Sequence, residues 1–240
     1  MTGELNQQIL IDEMKVGVII PAFNEALSIK KVVQDLPKNI IAEIVVVNNG
    51  STDDTAKIAE QNGAVVLTEN RRGYGWACLK GMEYLKKKDI EIVVFLDGDY
   101  SDDPKEITQL IEPIKKNECE FVVGSRVLGK RQKGSLKAHQ IFGNKLATFL
   151  IRVLFGGDFT DLGPFRAIKH ESLSMLSMKD KTYGWTVEMQ IKAVKQRLKY
   201  MEVPVNYKPR IGKSKVSGTI KGSIKAGTII LFWIFKSLFK

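Results

Sequence analysis

The chain has 240 residues, 44% hydrophobic and 27% charged, enough apolar material for one cored domain with at most a short appendage. Two histidines, His139 and His170, argue against a histidine-rich zinc site, and two distant cysteines, Cys78 and Cys119, have no metal or redox spacing and suit a reducing compartment. The net charge of +10 is uneven: residues 1–120 hold 14 basic against 21 acidic residues, and residues 121–240 hold 23 against 6. That asymmetry suggests an acid-lined half able to hold a metal and a basic half facing an anion: nucleic acid, anionic lipid or a phosphorylated substrate.

The N-terminus has no basic region followed by an apolar core, so no signal peptide is expected. The stretches VGVIIP (16–21), EIVVVN (43–48), AVVLT (64–68), IVVFLD (92–97) and FVVG (121–124) read as strands. Their continuous Val/Ile runs, without polar alternation, indicate strands covered on both faces. Segments of helical length lie between them, near 26–36, 53–61, 74–87 and 104–116. Strand and helix in turn predict right-handed crossovers and a doubly wound, mostly parallel α/β sheet. Ligands of such sheets bind beyond the carboxyl ends of the strands.

Three strand ends carry polar clusters: PAFNE (21–25), NNGSTDDT (48–55) and DGDYSDDP (97–104). In the second, Ser51 or Thr52 can cap the following helix, with Asp53 and Asp54 in its first turn. Capping leaves Asn48 and Asn49 unexplained; two amides there can hydrogen-bond a flat base. No G-x-G-x-x-G follows the first strand and there is no Walker lysine motif, which excludes the common dinucleotide and P-loop readings. In the third, Asp102 or Asp103 can cap a helix that has Pro104 at its first position. Asp97 and Asp99 have no such role. Gly98 between them permits a sharp turn that lets both carboxylates converge, and unpaired they would raise each other's pKa. A bound Mg²⁺ or Mn²⁺ removes that conflict, Mg²⁺ commonly using one or two carboxylates plus substrate phosphates.

Together PAFNE, VVVNNGSTDDT, RRGYGWACLKG and FLDGDYSDDP resemble the family 2 glycosyltransferases of the GT-A fold. The likeness continues through VVGSRV (122–127), GNKLA (143–147), TDLGPFRAI (160–168), YGWTVEMQIKA (183–193), EVPVNY (202–207) and RIGKSKVSG (210–218). This series is similar to dolichyl- and polyprenyl-phosphate mannose or glucose synthases. The resemblance implies a GT-A catalytic domain over 1–218, with a nucleotide-sugar half near 15–125 and an acceptor half near 126–218. It implies that Asp97 and Asp99 hold the cation against the donor diphosphate, and that Pro21, Ala22, Asn24 and Glu25 lie along the nucleotide. Asn48 stands where such enzymes carry a base-reading aspartate, so uracil and guanine both stay open. Gly50, Ser51, Arg71, Gly75 and Gly98 complete the implied donor set. Arg210, Lys213 and Lys215 form a basic loop that closes over the donor phosphates, while Arg126, Lys137 and Arg166 are candidates for the acceptor phosphate. Asp161 is a further candidate catalytic residue, orienting the acceptor or an arginine. Glu188, on a predicted helix, reads as a buried ion-pair partner.

The implied reaction passes a hexose from a nucleotide-diphospho-sugar to a polyprenyl or dolichyl phosphate with inversion. A phosphate nucleophile is already anionic and has less need of a strong base than a sugar hydroxyl. Residues 224–240, IKAGTIILFWIFKSLFK, form an apolar tail whose uninterrupted stretch, Ala226–Phe239, has 14 residues and contains Lys236, short of the ~20 a spanning helix needs. With lysines at 221, 225, 236 and 240 it reads as an interfacial helix, and 141–155 has similar character; core packing of both is the alternative. The resulting expectation for 219–240 is a membrane-associating or packing tail, on a protein peripheral to the cytoplasmic face of a membrane. Two other readings are transfer to a glycan or small-molecule hydroxyl, although the Q-x-x-R-W motif of processive relatives is absent, and a non-enzymatic binder of anionic lipid or nucleic acid. The binder reading leaves Asp97 and Asp99 without a role, so no nucleic-acid partner is expected. Oligomeric state has no signal in the sequence.

Overall fold

The five Val/Ile-rich stretches form β1 (Val16–Ala22), β2 (Glu43–Asn48), β3 (Val65–Thr68), β4 (Ile92–Phe95) and β5 (Phe121–Ser125). The second half adds β6 (Arg166–Lys169) and β7 (Tyr200–Pro204). The protein, a computed structural model, is described over residues 14–212, Ser214 and 220–239, the side chains of Ile220 and Lys221 excepted. Its strands form one sheet in the order β3-β2-β1-β4-β6-β5-β7. Pairing is parallel throughout except at β6, which runs antiparallel to both β4 and β5.

Helices alternate with the strands: α1 (Ile29–Asp35), α2 (Thr55–Gln61), α3 (Tyr74–Leu85), α4 (Ile107–Lys115), α5 (Ala138–Phe155), α6 (His170–Leu176), α7 (Trp185–Lys195) and α8 (Ile220–Lys236). A 3₁₀ turn, Pro104–Glu106, leads into α4, and another, Ser237–Phe239, follows α8. Because strand side chains alternate, β1 sends Val16, Val18 and Ile20 to one face and Ile19 to the other. The first face packs under α1 and α4 through Val32, Val33, Leu110 and Ile111. The second carries Val45, Val93 and Phe95 against α3, α5 and α7. A Cβ at Gly81 of α3 would lie 2.6 Å from Ile19 Cγ2, so this glycine allows the helix to lie closely on β1.

The tail helix α8 packs on α5 and α7, and its Ile234 is buried in the second core. Its outer face leaves Ile224, Phe232 and Phe235 exposed. On α5, Phe142, Leu146, Phe149 and Val153 are also exposed, and their spacing puts them on one stripe. Residues Gly222–Phe239 are long and apolar enough to cross a membrane by length and composition, with a mean hydropathy of 1.3. At ~1.5 Å per residue these 18 residues span roughly 27 Å, at the short end for a hydrocarbon core of ~30 Å. One side of this helix therefore packs on the domain, and the other is apolar and exposed.

The fold depends on the second core where β4 meets α7. Phe95 is buried completely and meets Trp185 edge-on, with ring centroids 5.7 Å apart. Truncating Phe95→Ala should cost about 3–5 kcal/mol. Urea unfolding should show a lower midpoint with an unchanged slope.

Candidate active site

The loops after β1 and β2 are laced together by side-chain hydrogen bonds. Parallel pairing sets Ala22 beside Asn48 at the two strand ends. Asn24, in the left-handed region at φ 55°, donates its backbone N–H to Ser51 Oγ at 3.0 Å. Its Oδ1 accepts the Thr52 N–H at 2.8 Å. Glu25 N–H reaches Thr55 Oγ1 at 2.8 Å, and Asn48 Oδ1 accepts the Ser51 N–H at 2.9 Å. Thus Ser51 and Thr52 do not cap α2. The helix begins only at Thr55, and it is the Asp53 carboxylate that accepts the Thr55 N–H, because Ser51 is committed to the neighbouring loop. Asn49 is also committed: its Nδ2 donates to the Glu69 and Arg71 carbonyls and its Oδ1 accepts from Gly73 N–H.

Beyond the carboxyl ends of β1 and β4, where the chain order reverses about β1, lies a cavity of about 450 Å³. Pro21, Ala22 and Glu25 line it from the first strand end, Asp97, Gly98 and Asp99 from the fourth. Another cavity, of about 480 Å³, lies by the opposite ends of β1 and β4 against Met14, Ile90 and His170, away from these carboxylates. Burial, followed by the Asp99 charge, pushes the Asp97 carboxyl up to about 7, although the Tyr74 hydroxyl and Arg210 pull the other way. Asp97 Oδ1 is buried without a hydrogen-bond partner among the described residues. Asp99 turns Oδ1 to the Ser101 N–H at 2.9 Å and to the Ser101 hydroxyl at 2.5 Å. Its Oδ2 faces Arg210 Nη1 at 3.2 Å. Arg210 also donates through Nη2 to Glu25 Oε1 at 2.8 Å, so one guanidinium joins the first and fourth strand ends.

Of the two candidate caps, Asp103 takes the role. Asp103 accepts the Lys105 N–H at the start of the 3₁₀ turn, with Pro104 at its first position. Asp102 is instead buried, with neither carboxyl oxygen hydrogen-bonded among the described residues. Burial, and then the Asp97 charge, raise its pKa well above the carboxylate range. Among the described residues no three His, Cys, Asp or Glu side chains form a metal-binding group. A cation fitting this site would draw on Asp97 and Asp99 and take its remaining ligands from phosphate and water, the usual habit of Mg²⁺. The orphaned Asp97 Oδ1 and the elevated Asp97 pKa fit such an ion.

The basic candidates divide. Arg126 lines the cavity and is held by Asp161 through three bonds, from its backbone N–H (2.8 Å), Nε (2.7 Å) and Nη2 (2.7 Å). Burial by itself lowers its pKa, but the Asp161 carboxylate outweighs this and raises it above the ordinary arginine value. Asp161 is buried and does not line the cavity, so it acts on the site through Arg126. Arg166 is different: it is buried on β6 and donates to the carbonyls of Leu162, Gly163 and Thr186. Burial lowers its pKa to about 10. With its guanidinium spent on the 162–163 turn, it is scaffold in this structure, not a cavity cation. Lys137 is exposed at the start of α5, outside the cavity, where its backbone N–H donates to Gln140 Oε1. Lys213 and Lys215 lie outside the described residues.

On the donor side Arg71 turns away, paired with Glu69 and stacked 3.6 Å from the centroid of Trp76. The next residue, Arg72, lines the cavity and stacks 3.9 Å from the centroid of Phe23, another lining residue. Asn24, Asn48, Gly50 and Ser51 build the loops behind the cavity wall, and Gly75 sits in the first turn of α3. Sequence reasoning missed Phe23, Arg72, Tyr183, Trp185 and Tyr207, all of which line the cavity. The aromatics had no polar signature, and only the fold shows which arginine of Arg71–Arg72 faces inward. Tyr207 lies under Arg126, 5.0 Å from ring centroid to guanidinium carbon.

Glu188 is buried, pairs with Lys192 at 2.6 Å and accepts the backbone N–H groups of Lys179 and Asp180.

The family model described as Glycosyl transferase family 2 matches residues 17–176. The chain is 33% identical over 221 residues to an uncharacterized glycosyltransferase of Mycobacterium tuberculosis, covering 91% of this chain and 96% of that one. It is 30% identical over 209 residues to the UDP-N-acetylglucosamine–dolichyl-phosphate N-acetylglucosaminyltransferase of Methanococcus voltae, covering 78% of this chain and 83% of that one. Among solved structures, glucosyl-3-phosphoglycerate synthase from Mycobacterium tuberculosis in complex with Mn²⁺, UDP and glucosyl-3-phosphoglycerate superposes with a TM-score of 0.76. That likeness covers 99% of this chain and 84% of the other at 21% identity, and it supports the GT-A fold. The sheet, the acid-lined strand ends and the family match agree, and the chain belongs to the family 2 glycosyltransferases.

Proposed function

We propose that the protein transfers a hexose, with inversion, from a nucleotide-diphospho-sugar to a polyprenyl-type lipid phosphate at a membrane surface. One observation carries this reading: Asp97 and Asp99 share a cavity with Arg72, Arg126 and Arg210, so acids for a cation and guanidinium groups for phosphates line the same space. The lipid-phosphate acceptor draws support from the dolichyl-phosphate relative of Methanococcus voltae and from the apolar stripes of α5 and α8. In this reading the protein works peripherally, on the cytoplasmic face, with the exposed apolar side of α8 in support.

Asp97 and Asp99 would hold a Mg²⁺ or Mn²⁺ ion, which when bound supplies Lewis-acid stabilisation of charge on the leaving diphosphate. The remaining work falls to the chain's own residues. Arg210, anchored by Glu25 and Asp99, offers charge to the donor phosphates. Arg126, fixed by Asp161 and by the Tyr207 ring, presents a permanent positive charge toward the acceptor phosphate. Fixing it in advance matters, since a preorganised charge needs no rearrangement as the new bond forms. A phosphate oxygen is already ionised, so neither arginine has to remove a proton.

A second reading, transfer to a small soluble phosphate-bearing acceptor, uses the same Arg126 and draws on the phosphoglycerate enzyme among the structural neighbours. Incubating the full chain with Mn²⁺, a panel of UDP-glucose, UDP-N-acetylglucosamine and GDP-mannose, and either undecaprenyl phosphate in vesicles or phosphoglycerate separates the two. Metal-dependent label in the lipid fraction is expected; label only in phosphoglycerate overturns the lipid reading. Asp99→Asn keeps an oxygen for Ser101 and should remain folded, while turnover falls by about 10²–10³-fold or more. Near-normal turnover in a folded Asp99→Asn protein would remove the cation role from this residue.

The Asp97 carboxyl gives a pH signature in the metal-free protein. Its folded pKa, about 7, lies above the ordinary value of 3.8, so between these values the folded state keeps a proton that the unfolded chain has lost. Stability contributed by this group is therefore present at low pH and lost as pH rises from about 4 to about 7. Thermal unfolding across this window should show wild type losing stability relative to Asp97→Asn. Mn²⁺, which favours the ionised form, should flatten the difference.

A further inference from the structure

Residues 180–184 join the tail helix to the wall of the cavity. The carbonyls of Lys181 and Thr182 accept the N–H groups of Trp76 and Gly75, both at 3.2 Å. These donors belong to the first turn of α3, where backbone N–H groups have no partner within the helix. The approach is close: a Cβ at Gly73 would lie 2.1 Å from the Lys181 carbonyl oxygen, and one at Gly75 2.2 Å from that of Asp180. Tyr74, between these glycines, lines the same cavity as Asp97. The loop thus fixes Tyr74 from behind, and its continuation supplies Tyr183, Trp185 and Thr186 to the cavity.

The loop in turn is held from two sides. Glu188 of α7 accepts the Asp180 N–H at 2.7 Å. From α8, Trp233 Nε1–H donates to Asp180 Oδ2 at 2.5 Å, while Asp180 Oδ1 accepts the Thr182 N–H at 2.7 Å. The indole lies so close to Gly184 that a Cβ there would be 2.2 Å from Trp233 Cδ1. The buried Asp180 carboxylate therefore joins a helix of the tail to the peptide that clasps α3. Ala226, two turns earlier on α8, lines the cavity itself.

We propose that Trp233 and Asp180 are positioning residues: through their hydrogen bond the seating of α8 sets the 180–184 loop, and the loop sets Tyr74 beside Asp97. Residues 220–236 are then a working part of the catalytic body as well as an apolar surface. The consequence for catalysis rests on the glycosyl-transfer reading above; the mechanical link does not.

The test uses the full chain with Trp233→Phe, which keeps the ring and removes the donor, and Asp180→Asn as the second variant. Amide hydrogen exchange, read by NMR without ligand, should accelerate about tenfold at Gly75 and Trp76, the loss of one charge-assisted hydrogen bond's support, with the β1 amides unchanged. With UDP-glucose as the probe, the donor KM should rise by a similar factor and kcat less. Wild-type exchange at Gly75 and Trp76 in both variants would overturn the proposal, as would an equal acceleration at β1, which marks general destabilisation. An exchange effect alongside a wild type that turns over no sugar donor would count against the assigned reaction and leave the link intact.

Discussion

Two carboxylates two residues apart, at the end of a buried strand, need positive charge beside them, and much of this molecule is arranged to supply it. In this protein Arg210 reaches back to Asp99 and Glu25, and Arg126 is locked onto Asp161 with its charged face toward the cavity. Neither arrangement neutralises Asp97, whose carboxyl is pushed up to about 7 chiefly by burial and whose Oδ1 has no partner among the described residues. The incomplete balance fits the proposed site for a cation and an anionic ligand together. A purely structural cluster would be expected to satisfy its buried oxygens internally.

Holding such a site requires rigid surroundings. The loops after β1 and β2 share side-chain bonds through Asn24, Ser51 and Thr55, and Ser28 Oγ donates to the Gly98 carbonyl at 2.8 Å, tying the start of α1 to the acidic turn. On the other side the buried Arg166 organises the 162–163 turn beside Asp161. Breaking the Arg126–Asp161 pair would leave a buried charge uncompensated, a change that typically costs several kcal/mol. The same pair thus serves stability and the presentation of positive charge. Its burial makes it costly to lose and precise in direction.

The two halves of the chain contribute in different ways. Residues before β5 provide four of the parallel strands, the acids at their ends and Arg72, and residues after it provide Arg126, Arg210 and most of the aromatic lining. The charge asymmetry of the sequence is thereby folded into one cavity. β6 makes this possible: running antiparallel between β4 and β5, it brings Arg166 level with Phe95, and the turn before it sets Asp161 within reach of Arg126. The tail helix completes the enclosure, packing one face on α5 and α7 and leaving the other apolar and exposed.

The amino-acid sequence by itself determined the five leading strands, the helices between them and the place of the acidic turn, because continuous Val/Ile runs, Gly98 and Pro104 act locally. It also determined the family, through motifs spread along most of the chain. Only the tertiary structure decided which residues reach the cavity. Arg72 faces in and Arg71 out because Glu69 captures Arg71; Arg166 is withdrawn into the core by three carbonyls; Asn49 lines the cavity with its amide already engaged by the loop before α3; and of the two candidate caps Asp103 serves while Asp102 is buried. Asn49 and the Thr186 contact of Arg166 depend on partners about twenty residues away, and the other cases on the direction a side chain takes at a turn. Residue type and local spacing cannot encode either one, because both follow from how the strands and helices pack.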